Sequence, residues 1–101
     1  MPSTLIVQLN MNEFCQSVGL APDYVIEIVE HGIVEPQGRT PDEWRFDDSA
    51  SALARRAAKL RDDLQIEWEG VALALELLEE VQQLRAENRM LKQRLGRFLL
   101  E

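Results

Sequence analysis

Residues 10–34, NMNEFCQSVGLAPDYVIEIVEHGIV, read as two short helices joined by a tight turn. Asn10 or Asn12 is placed to cap the first helix and Glu13 lies near its positive end, while Phe14, Cys15 and Val18 form an inward face before Gly19 stops it. Pro22 at a first helical position, with Asp23 beside it, opens a second helix whose apolar stripe is Tyr24, Val25, Ile28 and Val29; His31 and Gly32 close it. The pattern predicts a helix-turn-helix, in which the second helix is the usual reader of a duplex. Here that helix carries Asp23, Glu27 and Glu30 and no lysine or arginine. A duplex bears about one negative charge per 1.7 Å of axis, so such a helix is repelled from phosphate.

Working outward, residues 3–9 (STLIVQL) are short and rich in β-branched and apolar side chains, which predicts a strand entering the domain. Residues 33–45 hold Pro36, Gly38 and Pro41 between the apolar pair Ile33, Val34 and the alternating Trp44, Phe46, the pattern of a small β-hairpin wing. Asp47, Asp48 or Ser49 is placed to cap a third helix running through Leu64, with Leu53, Ala57, Leu60 and Leu64 at helical spacing. The basic residues Arg55, Arg56, Lys59 and Arg61 on that helix are the one run suited to phosphate. Asp62 and Asp63 follow them directly, so a solvated helix face is the better reading.

From Glu69 onward there is no proline, and only Gly96 interrupts strong helix formers, so one helix of about 48 Å is expected at 1.5 Å per residue. Val71, Ala72, Leu75 and Leu78 are apolar over too broad a face for a simple seam and are expected to pack on the globular domain. Beyond them a heptad assignment holds without a slip, with Ala74, Val81, Asn88 and Leu95 at a, and Leu77, Leu84, Leu91 and Phe98 at d. That seam predicts a homodimer through Leu77, Val81, Leu84, Asn88, Leu91, Leu95 and Phe98, unless the stripe packs back on its own domain. Asn88 at an a position costs stability but fixes register and favours two strands. Parallel helices would join Glu80 to Arg85 and Glu87 to Lys92, whereas an antiparallel pair would set Glu80 against Arg94 and Glu87 against itself. Exposed pairs are worth only about 0–1 kcal/mol, too little to decide orientation. The chain thus divides into a winged helix-turn-helix domain over 1–68 and a long dimerisation helix over 69–101.

The net charge of −7 lies wholly in residues 1–50, where nine acids face only Arg39 and Arg45; residues 51–101 balance nine against nine. An acidic balance disfavours nucleic acid and anionic membrane as partners and favours a basic protein surface. One cysteine excludes an internal disulfide, and no signal peptide or membrane span is recognisable, so a soluble cytoplasmic protein is expected. No metal-ligand spacing, phosphate loop or nucleophile elbow occurs, and no cofactor is implied. His31 reads as a helix-end residue and Cys15 as a small core residue. The neighbouring acids Asp47 and Asp48, like Asp62 and Asp63, do not face one way on a helix, so the chain does not read as an enzyme.

The chain resembles the chaperone modulator CbpM family, a bacterial relative of the MerR-type winged-helix fold. The match runs through Glu13, Phe14 and Cys15; residues 32–36 (GIVEP); Trp44, Phe46, Asp47 and Asp48; Leu60, Arg61 and Leu64; Trp68 and Gly70; then Glu87, Asn88, Arg89, Arg94, Leu95, Arg97 and Phe98. It covers nearly the whole chain. The resemblance implies a dimeric inhibitor that binds the J-domain of a DnaJ-like co-chaperone, CbpA, and stops it from stimulating the Hsp70 (DnaK) ATPase. A J-domain offers a basic helix to Hsp70, so the contact is expected on Asp23, Tyr24, Glu27 and Glu30, with Asp47 and Asp48 nearby. The bland alternative makes Tyr24 a core residue and the acids mere solubilisers. Two other readings share the fold. A MerR-like DNA-binding regulator would have to rely on Arg39, Arg45, Arg55, Arg56 and Lys59. A plain dimerisation adaptor would act wholly through residues 70–101.

Overall fold

In the computed structural model, which describes residues 7–99, the order is α1 (Met11–Val18), α2 (Pro22–Glu30), a 3₁₀ turn (Pro41–Glu43), α3 (Asp48–Leu64) and α4 (Trp68–Leu99). Asn10 is the residue that starts α1. Its side chain accepts from the Glu13 amide at 2.9 Å while the Glu13 carboxylate accepts from the Asn10 amide at 2.9 Å, a reciprocal capping box. Gly19 ends the helix in the left-handed region, φ 72°, and its amide donates to Cys15. Pro22 opens α2 as expected, and Asp47 opens α3 by accepting from the Ala50 amide at 2.9 Å.

Phe14 from α1 and Val25 and Ile28 from α2 are fully buried and share one core with Ile33, Val34, Trp44, Phe46, Ala50, Ala54, Ala57, Trp68 and Val71. Phe14 and Phe46 stack at 3.9 Å between centroids, and Trp44 meets Phe46 edge-on at 6.1 Å. The α3 stripe agrees with expectation at Ala57 and differs from it elsewhere. Ala50, Ser51, Ala54 and Ala57 are buried, Leu53 and Leu60 are half-buried, and Leu64 is exposed. Small side chains let α3 come close to its neighbours, and the leucines flank that contact. Leu64 lies at the helix end beside Gln65, whose positive φ of 54° turns the chain away.

The expected hairpin wing is not formed, and no strand occurs among the described residues. The segment is a loop closed by one antiparallel pair, in which Gln37 and Arg45 exchange backbone bonds of 3.0 and 2.9 Å. The ladder cannot lengthen, because Pro36 and Pro41 have no amide proton and Pro41–Glu43 coils into 3₁₀ geometry. Phe46 turns the other way and pairs with Leu9 through bonds of 2.8 and 2.9 Å. Of the expected strand over 3–9, residues 3–6 lie outside the described residues, and this isolated bridge is all that the remainder forms.

Helix α4 begins at Trp68, one residue earlier than expected, and its first turns complete the core with Trp68 and Val71 while Ala72 and Leu75 pack against it. It then leaves the domain. The principal extents are 62 × 46 × 21 Å, and the radius of gyration of 18.3 Å exceeds the about 13 Å usual for a compact chain of this length. No helix among the described residues is long and apolar enough to cross a membrane.

Candidate functional site

Val25 and Ile28 turn α2 inward, which leaves Asp23, Glu27 and Glu30 on its outer face at spacings of four and three residues. All three are exposed. Among the described residues the one ion pair is Lys59–Asp63, 3.0 Å, so no described residue forms an ion pair with any of these acids. Asp23 suits the positive end of the helix. Glu30 stands at the negative end, where no basic residue compensates it, a placement that slightly opposes helix stability.

Tyr24 is 37% exposed, so it is neither a core residue nor a free surface ring. It lies beside Glu27 in the next turn but leans toward α3 and α4, meeting Trp68 edge-on at 5.8 Å. The Arg61 guanidinium carbon stands 4.7 Å from the Tyr24 ring centroid and 5.0 Å from that of Trp68. The solvated reading of the basic run therefore fails for Arg61, which is half-buried against two rings. Arg55 is likewise engaged, donating to the Ser17 hydroxyl at 2.7 Å and to the Ser17 carbonyl at 3.1 Å, which ties α3 to α1. Periodicity alone could not reveal the Tyr24–Arg61–Trp68 cluster, since its members come from three different helices.

Asp47 and Asp48 begin α3 and are exposed. Asp47 lines a groove with Glu35, Gly32 and Leu53, on the side of the domain where α2 ends. Hydrogen bonds from the Ser49 hydroxyl and the Ala50 amide hold the Asp47 carboxyl below its ordinary value of 3.8. The site is thus an acidic outer face on α2, an aromatic and cationic flank at Tyr24, and a separate pair of acids opening α3. Cys15 is half-buried on α1, where burial pushes its thiol up, and its Sγ lies 3.7 Å from Met11 Sδ. Among the described residues no three His, Cys, Asp or Glu side chains are grouped to hold a metal ion.

The heptad stripe of α4 does not pack back on its own domain. Leu77, Leu84, Leu91, Leu95 and Phe98 are more than half exposed, Val81 is 39% exposed, and Asn88 lies open among them.

Residues 9–93 match the MerR HTH family regulatory proteins. The chain is 74% identical over 98 residues to the chaperone modulatory protein CbpM of Pseudomonas putida strain W619, covering 97% of each chain. It is 70% identical over 98 residues to that of Pseudomonas entomophila strain L48, again with 97% of each covered. To the chaperone modulatory protein CbpM of Salmonella paratyphi A strain ATCC 9150 it is 42% identical over 97 residues, 96% of each. The fold and the first of these matches define a helix-turn-helix protein of the MerR class. Within that class, the chain belongs to the chaperone modulatory protein CbpM family.

Proposed function

We propose that this protein is a cytoplasmic, non-enzymatic chaperone modulator, acting as a homodimer that binds the J-domain of a DnaJ-like co-chaperone (CbpA) and prevents that domain from stimulating the Hsp70 (DnaK) ATPase. The observation that carries the reading is the outer face of α2, where Asp23, Glu27 and Glu30 are exposed without a cationic partner among the described residues. A face that contributes nothing to the core, and that matches the basic helix a J-domain offers to Hsp70, suits competition for that helix. Occupancy alone would inhibit. The names of the relatives, chaperone modulatory proteins, support the coarser part of this reading, a chaperone-modulating role. Tyr24, Asp47 and Asp48 extend the proposed contact, and the exposed stripe from Leu77 to Phe98 provides the dimer seam.

The family match also bears on a second reading, a MerR-like DNA-binding regulator. Its reader helix would have to approach phosphate with three acids and no lysine or arginine. The two readings separate in a steady-state ATPase assay of Hsp70 with its full-length co-chaperone. Added protein should return the stimulated rate to the basal one and leave the basal rate unchanged. Undiminished stimulation in the presence of excess protein would overturn the reading.

A further inference from the structure

Arg61 is placed in an unusual way. Its guanidinium is held against Tyr24 and Trp68 at 4.7 and 5.0 Å, its Nε is buried without a hydrogen-bond partner, and no carboxylate pairs with it among the described residues. The indole Nε1 of Trp68 is also buried and without an acceptor, in a side chain only 3% exposed. Two N–H donors without acceptors at one spot are uncommon, because a buried donor normally finds a partner. In a chain with eighteen acids, a cation held by rings rather than by a carboxylate has its ionic valence unspent. Stacking orients the planar fork, so little side-chain freedom is lost when an acceptor arrives.

We infer that the Arg61 fork, framed by Tyr24 and Trp68, is a docking point for a carboxylate on the bound protein partner, taken end-on through Nη1 and Nη2 because Nε is shielded. The inference rests on the proposed J-domain reading and adds to it a contact of opposite sign. The acids of α2 meet the partner's basic helix, and the fork beside them takes one of its acids. Alternating signs on neighbouring patches fix the register of a complex in a way that a uniformly acidic face cannot. Arginine and tyrosine are also among the residue types that dominate binding energy at interfaces. A nucleic-acid phosphate would suit the same fork chemically. Glu27, one turn from Tyr24, and Asp23 beside it disfavour that occupant.

The test is a fluorescence-anisotropy titration of a labelled DnaJ-like co-chaperone with the full chain and its variants, with circular dichroism checking the fold. Arg61→Met keeps the apolar stem and should weaken binding about tenfold or more, with helix content unchanged. Arg61→Lys keeps the charge but not the fork and should still lose about fivefold or more. Should the methionine variant lose helix, the lysine variant decides alone. Substituting each partner Asp and Glu by its amide should reveal one position whose loss is non-additive with Arg61→Lys, a coupling that a merely structural arginine would not produce. Unchanged affinity of a folded Arg61→Lys variant, alongside weakening by Glu27→Lys, would overturn the docking point and leave the J-domain reading standing. Failure of the unsubstituted chain to bind would overturn both. Duplex binding that Arg61→Lys abolishes would replace the carboxylate with phosphate.

Discussion

At the scale of single residues, Asp47 begins α3 with a carboxylate that accepts from both Ser49 and Ala50. Because its folded value is lowered, the stability it contributes is present above its unfolded value and is lost as pH falls through the folded one. Thermal unfolding should therefore lose stability below about pH 4 more steeply in the wild type than in Asp47→Asn. Asparagine keeps the cap without titrating, so parallel pH profiles would refute this role. Gly38 is a second such point, at φ 111°, where an added Cβ would lie 2.5 Å from the Glu43 carbonyl oxygen. Gly38→Ala should open the Gln37–Arg45 bridge and cost about 1–3 kcal/mol in denaturant unfolding. Caps were legible in the sequence because they depend on neighbours three residues apart, although three candidates at 47–49 left the choice to geometry. The Arg61 stack was not legible, since Tyr24 and Trp68 reach it from distant parts of the chain.

Among the elements, α2 carries the functional argument and α4 the architectural one. Replacing Glu27 and Glu30 together by lysine should leave α2 folded, since Val25 and Ile28 supply its buried contacts. The double change should weaken J-domain binding by about tenfold, acting mainly on the association rate, at about 1 kcal/mol or less per exposed pair. Stopped-flow association measured at low salt checks this directly. Periodicity placed all four helices, the first three because each buries a stripe and α4 because strong helix formers and an unbroken heptad pattern run along it. On α3 it placed Ala57 correctly but missed Ala50 and Ala54, which are buried where Leu53 and Leu60 are only half-buried. Apolar size ranks residues by the area they bury, whereas close helix approach selects for small side chains. The wing was over-read for a related reason. Alternating Trp44 and Phe46 resemble a strand, but their backbone pairs Arg45 with Gln37 and Phe46 with Leu9, one bridge on each side.

On the scale of the whole molecule, the chain exposes 7907 Å², about 2,000 Å² more than a compact monomer of its mass. Specific interfaces bury about 1,200–2,000 Å² in total, so pairing of α4 with a second copy would cover surface that the single chain leaves open. Leu84→Ala should cost about 2–5 kcal/mol of dimer stability if that side chain is buried in the seam. Sedimentation should show dissociation at a higher protein concentration than for the wild type. The long helix was readable from the sequence, because strong helix formers and heptads run unbroken from Ala74 to Phe98 and α4 spans Trp68–Leu99. The central claim concerns what the acidic domain at the base of that helix binds. A calorimetric titration of the protein with an isolated J-domain of the CbpA type, at low and at physiological salt, tests it most directly. The account predicts saturable binding that weakens as salt rises; absence of binding at both salts, with duplex DNA bound instead, would contradict it.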